Sequence, residues 1–112
     1  MAEAGEDIQA CDAAVTLAFS VLGKRWNGMI VSALGAGPST FVALRRAVAG
    51  ISDTVLSERL AGLADAGLVV RTVDAGPPVT VSYELSGGGQ GLLPILGQLG
   101  AWASANLAHR AH

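Results

Sequence analysis

Cysteine is nearly absent: Cys11 is the only one in 112 residues, so no disulfide can form within the chain. Charged residues are few, at 14%, while 51% of residues are hydrophobic, which excludes a disordered chain. Long apolar runs are missing. Residues 13–22 fall short of the about 20 that a bilayer requires, and residues 92–107 are interrupted by Pro94, Gln98, Ser104 and Asn106. No basic stretch opens the chain as in a secretory leader; Glu3, Glu6 and Asp7 stand there instead. A cytoplasmic protein without membrane contact is expected. Catalytic signatures are missing too. GGGQG (87–91) lacks the Gly-Lys-Ser/Thr of a phosphate loop, and His109 and His112 have no Cys or carboxylate at ligand spacing. No enzyme activity, metal or cofactor is expected.

At this length one domain with a small core is expected. The mean hydropathy of +0.48 is high for a soluble monomer, and a subunit interface is one way to hide the excess apolar surface. Net charge is −2, but the charges are segregated. Residues 1–12 hold Glu3, Glu6, Asp7 and Asp12 and no base; residues 24–71 hold six of the seven Lys and Arg against Asp53, Glu58 and Asp65. A local positive field can therefore exist on an acidic protein.

Residues 1–11 read as an acidic N-terminal arm and 12–112 as a single domain. Asp12 caps a helix over 13–22 that Gly23 ends. A second helix covers 26–34, and GAGPST (35–40) breaks it. Ser39 or Thr40 caps a third, up to Val48, with Phe41, Leu44 and Val48 inward. After a tight turn at 49–51, Ser52 caps a fourth helix over about 52–66. Its Leu56, Leu60 and Leu63 form one buried stripe, and Gly67 takes the left-handed C-terminal position. LVVRTV and VTVSYEL flank the turn DAGPP and make a hairpin over about 68–85. Ser86 and the glycines form a loop and cap before a long apolar helix over about 91–107. Two short helices joined by a glycine turn and followed by a hairpin read as an α+β, mainly helical, winged helix-turn-helix. Thr54, Ser57, Glu58, Ala61 and Asp65 point away from the leucine stripe, with Arg59 nearer its edge, on the helix that in this motif faces the major groove.

LGKRWNGMIVSAL, FVALRRAVAGISDTVLSERLAGLADAGLVVR, PP…YELS and GLLPILGQLGAWA together resemble the HxlR family of bacterial winged-helix transcription regulators, relatives of MarR. The resemblance runs from Cys11 to about Ala103. It implies a homodimer on inverted-repeat operator DNA, with N- and C-terminal dimerisation helices; here the interface is Val15, Phe19, Leu92, Ile95, Leu96, Leu99 and Trp102. It also implies a redox-sensing candidate in Cys11, because some members respond to oxidants or electrophiles through a cysteine near the N-terminus. The chain departs from the family pattern in places. Asp12 follows the cysteine where Pro is usual, and Arg25 separates Lys24 from Trp26. Val79 and Thr80 follow Pro77-Pro78 where a basic residue is common, leaving Asp74 as the only charge at the wing tip.

The DNA-contact candidates are Thr54, Ser57, Glu58 and Arg59 on the recognition helix and Arg45 and Arg46 on the helix that crosses the backbone. Lys24 and Arg25 join them at a helix start, where a cation opposes the dipole and an anionic partner offsets the cost. Arg71 at the strand edge is a further phosphate candidate. Each has a plainer reading. Thr, Ser and Glu make an ordinary solvated face. Arg45 and Arg46 make a surface charge pair of little value. Arg59 packs its stem on the core and pairs with an acid. Cys11 is inert: a helix start favours its thiolate, but Asp7 and Asp12 oppose it. Trp26 and Trp102 are core or interface aromatics. Two function classes stay open: a dimeric regulator binding double-stranded DNA, with or without a small-molecule effector, and a winged-helix module that binds protein and not DNA.

Overall fold

Hydroxyl side chains and glycines mark where the elements begin and end. A computed structural model describes the backbone of residues 2–107 and the side chains of residues 12–107. In chain order the elements are α1 (Ala2–Leu22), α2 (Asn27–Leu34), α3 (Phe41–Ala47), α4 (Asp53–Asp65), β1 (Val69–Asp74), β2 (Thr80–Leu85) and α5 (Gly87–Asn106). Thr40, Ser52 and Ser86 each sit extended before a helix, their hydroxyls accepting from the N–H groups of Ala43 (3.1 Å), Val55 (3.2 Å) and Gly89 (3.2 Å). At the end of α4, Gly67 adopts φ 78°. Its N–H donates to Ala64 and that of Leu68 to Leu63, both at 3.0 Å. This paired arrangement closes the helix and brings Leu68 against the core.

β1 and β2 form an antiparallel ribbon with Val69 opposite Leu85, Arg71 opposite Tyr83 and Val73 opposite Val81. Ser39 adds one bridge on the other side, exchanging both backbone hydrogen bonds with Tyr83. The core is built from Ile30, Val31 and Leu34 of α2, Leu44 of α3, Leu56, Leu60 and Leu63 of α4, Val69 and Leu85 of the ribbon, and Val48 and Ile51 of the turn. Leu92, Leu93 and Leu96 of α5 pack against it, half-buried.

Three expected boundaries move. α1 starts at Ala2, not after Asp12, so the acidic segment is helical and Asp12 lies inside the helix, unable to cap it. Residues 2–11 contain no proline, and Glu3 and Glu6 stand at the positive end of the dipole. The backbone of Cys11 is thus mid-helix and not at a helix start. Its side chain lies outside the described residues, as do His109 and His112. Trp26 precedes α2 instead of opening it, in a left-handed conformation with φ 82°. Finally, α5 starts at Gly87 because the glycines permit close packing. A Cβ on Gly89 would overlap the Leu68 carbonyl and lie 3.1 Å from Leu85 Cβ.

α1 lies largely outside the core, with residues 12–20 exposed. The radius of gyration is 16.7 Å, against roughly 13 Å for a compact chain of this length. Among the described residues no helix is long and apolar enough to cross a membrane.

Gly89→Ala will destabilise the fold by about 1–3 kcal/mol through overpacking on a backbone carbonyl. Gly91→Ala, in open space on the same helix, will instead stabilise it by up to about 1 kcal/mol. Urea unfolding of the two variants checks this, and equal effects would contradict the close approach.

Candidate nucleic-acid interface

α3 and α4 meet at a tight turn in which Ile51 N–H donates to Val48 and Gly50 takes φ 97°. Leu56, Leu60 and Leu63 lie flat on the core at 2% exposure or less. Geometry then leaves Thr54, Ser57, Glu58, Ala61 and Asp65 outward, and all five are exposed as the helical spacing predicts.

The cations divide into two groups. Arg45 Nη1 donates to both carboxylate oxygens of Asp53, at 3.0 and 3.2 Å, joining the last turn of α3 to the first turn of α4. Each end suits its helix dipole. The pair is well exposed, so its worth is small, but it directs the Arg45 guanidinium at an acid. Arg59 is half-buried and donates from Nε to the Arg25 carbonyl at 3.0 Å. It pairs with a backbone oxygen, not with the acid that its plainer reading supplied, and pins α4 to the turn after α1.

Lys24, Arg25, Arg46 and Arg71 are exposed and form no ion pair among the described residues. Lys24 and Arg25 lie in the turn between α1 and α2, not at the helix start itself. The Arg25 guanidinium sits 4.5 Å above the Trp26 ring, and that ring faces Gly50 of the helix-turn-helix turn. Arg71 projects from the ribbon toward α4, lining a recess with Ser57, Ala61 and Tyr83. At the wing tip the Asp74 carboxylate accepts from Gly76 N–H at 3.1 Å, closing the turn, while Val73 and Val79 are exposed. The tip offers no cation.

Of the proposed interface residues, Val15, Phe19, Ile95, Leu99 and Trp102 are all exposed. Leu92 and Leu96 are in part committed to the chain's own core. A groove between α2 and α5 is lined by apolar Met29, Ala33, Leu96 and Leu99.

A family model described as HxlR-like helix-turn-helix matches residues 21–111. The chain belongs to the HxlR family. This family consists of transcriptional regulators and not enzymes, and the chain is a helix-turn-helix transcriptional regulator. The HxlR chain is 41% identical over 86 residues to the HTH-type transcriptional regulator YodB of Bacillus subtilis, covering 77% of each protein. It is 40% identical to YvaP of the same organism over 87 residues, 78% of this chain and 81% of YvaP. The reduced form of YodB superposes with a TM-score of 0.76 at 38% identity, over 82% of this chain and 90% of that one. The redox regulator HypR in its reduced form gives 0.79 at 28% identity, over 88% and 99%.

Two residues, Asn27 and Tyr83, and the backbone conformation of Trp26 had no place in the expectations from sequence. Asn27 is buried, and its Nδ2 donates to the Val21 carbonyl at 2.8 Å, binding α2 to the end of α1. A polar residue opening an apolar helix was the available signal. The left-handed backbone of Trp26 left no signal in the sequence. Tyr83 shares the recess beside α4, and its place opposite Arg71 follows only once the hairpin register is known.

Proposed function

We propose that this regulator is a homodimer that binds an inverted-repeat operator, with α4 of each subunit in the major groove. The observation carrying this reading is the face of α4. Its leucine stripe is spent on the core, so Thr54, Ser57 and Glu58 are held outward on a rigid helix. In this reading Thr54 and Ser57 meet base edges or phosphates, Glu58 accepts from a cytosine amino group or keeps the phosphate backbone at a distance, and Lys24, Arg25, Arg46 and Arg71 meet phosphates. Arg45 and Arg59 act mainly by positioning α4.

The homodimer reading is supported by unburied surface. Val15 and Phe19 of α1 and Ile95, Leu99 and Trp102 of α5 are 44–55% exposed, an apolar surface of the kind that a second subunit covers. A finer reading makes Cys11 a thiol sensor. It is favoured by the likeness to YodB, solved also diamide-treated and quinone-bound, and to HypR, solved in reduced and oxidised forms. Two Cys11 thiols from the two subunits would join as a disulfide, giving two protons and two electrons to an oxidant such as diamide. A small-molecule effector would act by shifting operator affinity between two states.

Binding of reduced protein to DNA from upstream of its own gene tests the reading. Affinity will fall steeply with salt. Arg46→Ala will weaken binding to all sequences alike and lower the salt slope by about one, whereas Arg45→Ala will do less because Asp53 already holds that guanidinium. Absence of any DNA binding at low salt would favour a protein-binding module instead. Leu99→Asp will convert the dimer to a monomer in sedimentation, since the charge would enter the apolar interface; a tight dimer would move the interface elsewhere. Diamide will change operator affinity in the wild type but not in Cys11→Ser, and an equal response in both would remove Cys11 as the sensor.

A further inference from the structure

The recess between α4 and the wing holds three polar side chains that no other group uses. It measures about 150 Å³, with Leu60 and Ala61 from α4 as apolar walls and Ser57, Arg71 and Tyr83 as the polar lining. Among the described residues none of those three side chains has a hydrogen-bond or ion-pair partner, and no carboxylate lines the recess. Acids lie elsewhere: Asp53 is engaged by Arg45, and Glu84 stands opposite Val70 on the other face of the ribbon.

The hairpin geometry fixes the polar pair. Tyr83 directs both its N–H and its C=O to Ser39, at 2.8 and 2.9 Å. Its cross-strand pairing with Arg71 is therefore of the non-hydrogen-bonded type, the closer of the two, with Cα atoms about 4.5 Å apart and side chains adjacent. The Ser39 bridge holds the Tyr83 backbone on one side and the pairing of its neighbours Ser82 and Glu84 with β1 holds the other, so the phenol is carried on a rigid support. The adjoining residues of α4, Ala61, Gly62 and Ala64, are small and leave room for a strand to approach.

We propose that this recess seats one phosphodiester of duplex DNA, and that Tyr83 is a direct DNA-binding residue. The Arg71 guanidinium, the Tyr83 hydroxyl and the Ser57 hydroxyl donate to the non-bridging oxygens of that phosphate. The inference rests on the DNA-binding reading above. With α4 in the major groove, the groove's phosphate ridge passes between α4 and the wing, where the recess lies. A charge-assisted hydrogen bond from a hydroxyl fits the anion, and one arginine neutralises it. The seat gives this wing a phosphate contact at its base even though its tip has no cation.

The test compares wild type, Tyr83→Phe, Arg71→Ala and the double variant on a duplex of random sequence and on upstream DNA. Tyr83→Phe keeps the ring and its packing, so thermal unfolding stays unchanged while affinity for both duplexes falls about fivefold. Arg71→Ala lowers the salt slope by about one. In the double variant the tyrosine change costs less than it does alone, because the phosphate is no longer held. A walk of single methylphosphonates along the wild-type duplex will find one position where neutralisation weakens binding and where both variants are less sensitive. Wild type that binds duplex while Tyr83→Phe binds equally well would overturn the seat and leave DNA binding standing. Wild type that binds no duplex at low salt removes both. Protection against unfolding by inorganic phosphate alone, lost in Tyr83→Phe, would assign the recess to free anions and overturn the DNA assignment.

Discussion

Burial of Leu56, Leu60 and Leu63 is the constraint on which the outer surface depends. These side chains are 0–2% exposed and meet α2, α3 and the ribbon in one core. A helix so seated cannot rotate without lifting leucines into water, at about 1.5–3 kcal/mol for each side chain. The azimuth of Thr54, Ser57 and Glu58 is thereby fixed by packing and not by any bond those residues make. Both ends are fixed as well: Ser52 caps the start, and the paired hydrogen bonds at Gly67 close the end on the same core. A recognition surface on such a helix is preorganised, and little conformational entropy is left to lose on binding.

The turn at residues 23–26 connects this helix to the part of the chain that stands apart from the core. Three ties meet there. Asn27 binds the α1 carbonyl of Val21, Arg59 of α4 binds the carbonyl of Arg25, and the Trp26 ring lies against Gly50 at the helix-turn-helix turn. The left-handed Trp26 costs of order 1–3 kcal/mol in backbone energy, which these contacts offset. These ties join the end of α1 to α4 and to the helix-turn-helix turn through four residues.

Much of this was legible in the residues. The helix-turn-helix, the wing, the capping by Ser52, the left-handed Gly67 and the outward face of α4 all follow from periodicity and terminus chemistry, which are local. What was not legible is non-local or conformational. The glycines after Ser86 read as a loop because their intrinsic helix propensity is poor; tertiary packing against Leu68 and Leu85 outweighs it. Asp12 read as a cap because a cap signature says nothing of whether a helix has already begun upstream. Arg45 and Arg59 carried the right charge for phosphates, yet their partners, Asp53 and the Arg25 carbonyl, lie 8 and 34 residues away in sequence.

Those two engagements change the electrostatics of the interface. The middle of the chain holds six basic residues, but one is paired with a carboxylate and another is half-buried against a carbonyl. Lys24, Arg25, Arg46 and Arg71 remain to meet an anion, on a chain of net charge −2. Each phosphate neutralised contributes about 0.9 to the salt slope, so one subunit makes a small electrostatic contribution. In the proposed dimer, linking two such subunits makes the second half-site contact intramolecular and multiplies the affinity without any new charge. In the proposed dimer a sparsely basic recognition side and the exposed Val15, Phe19, Leu99 and Trp102 are complementary features: pairing two chains covers the apolar side chains and brings two sparsely charged sides to one duplex.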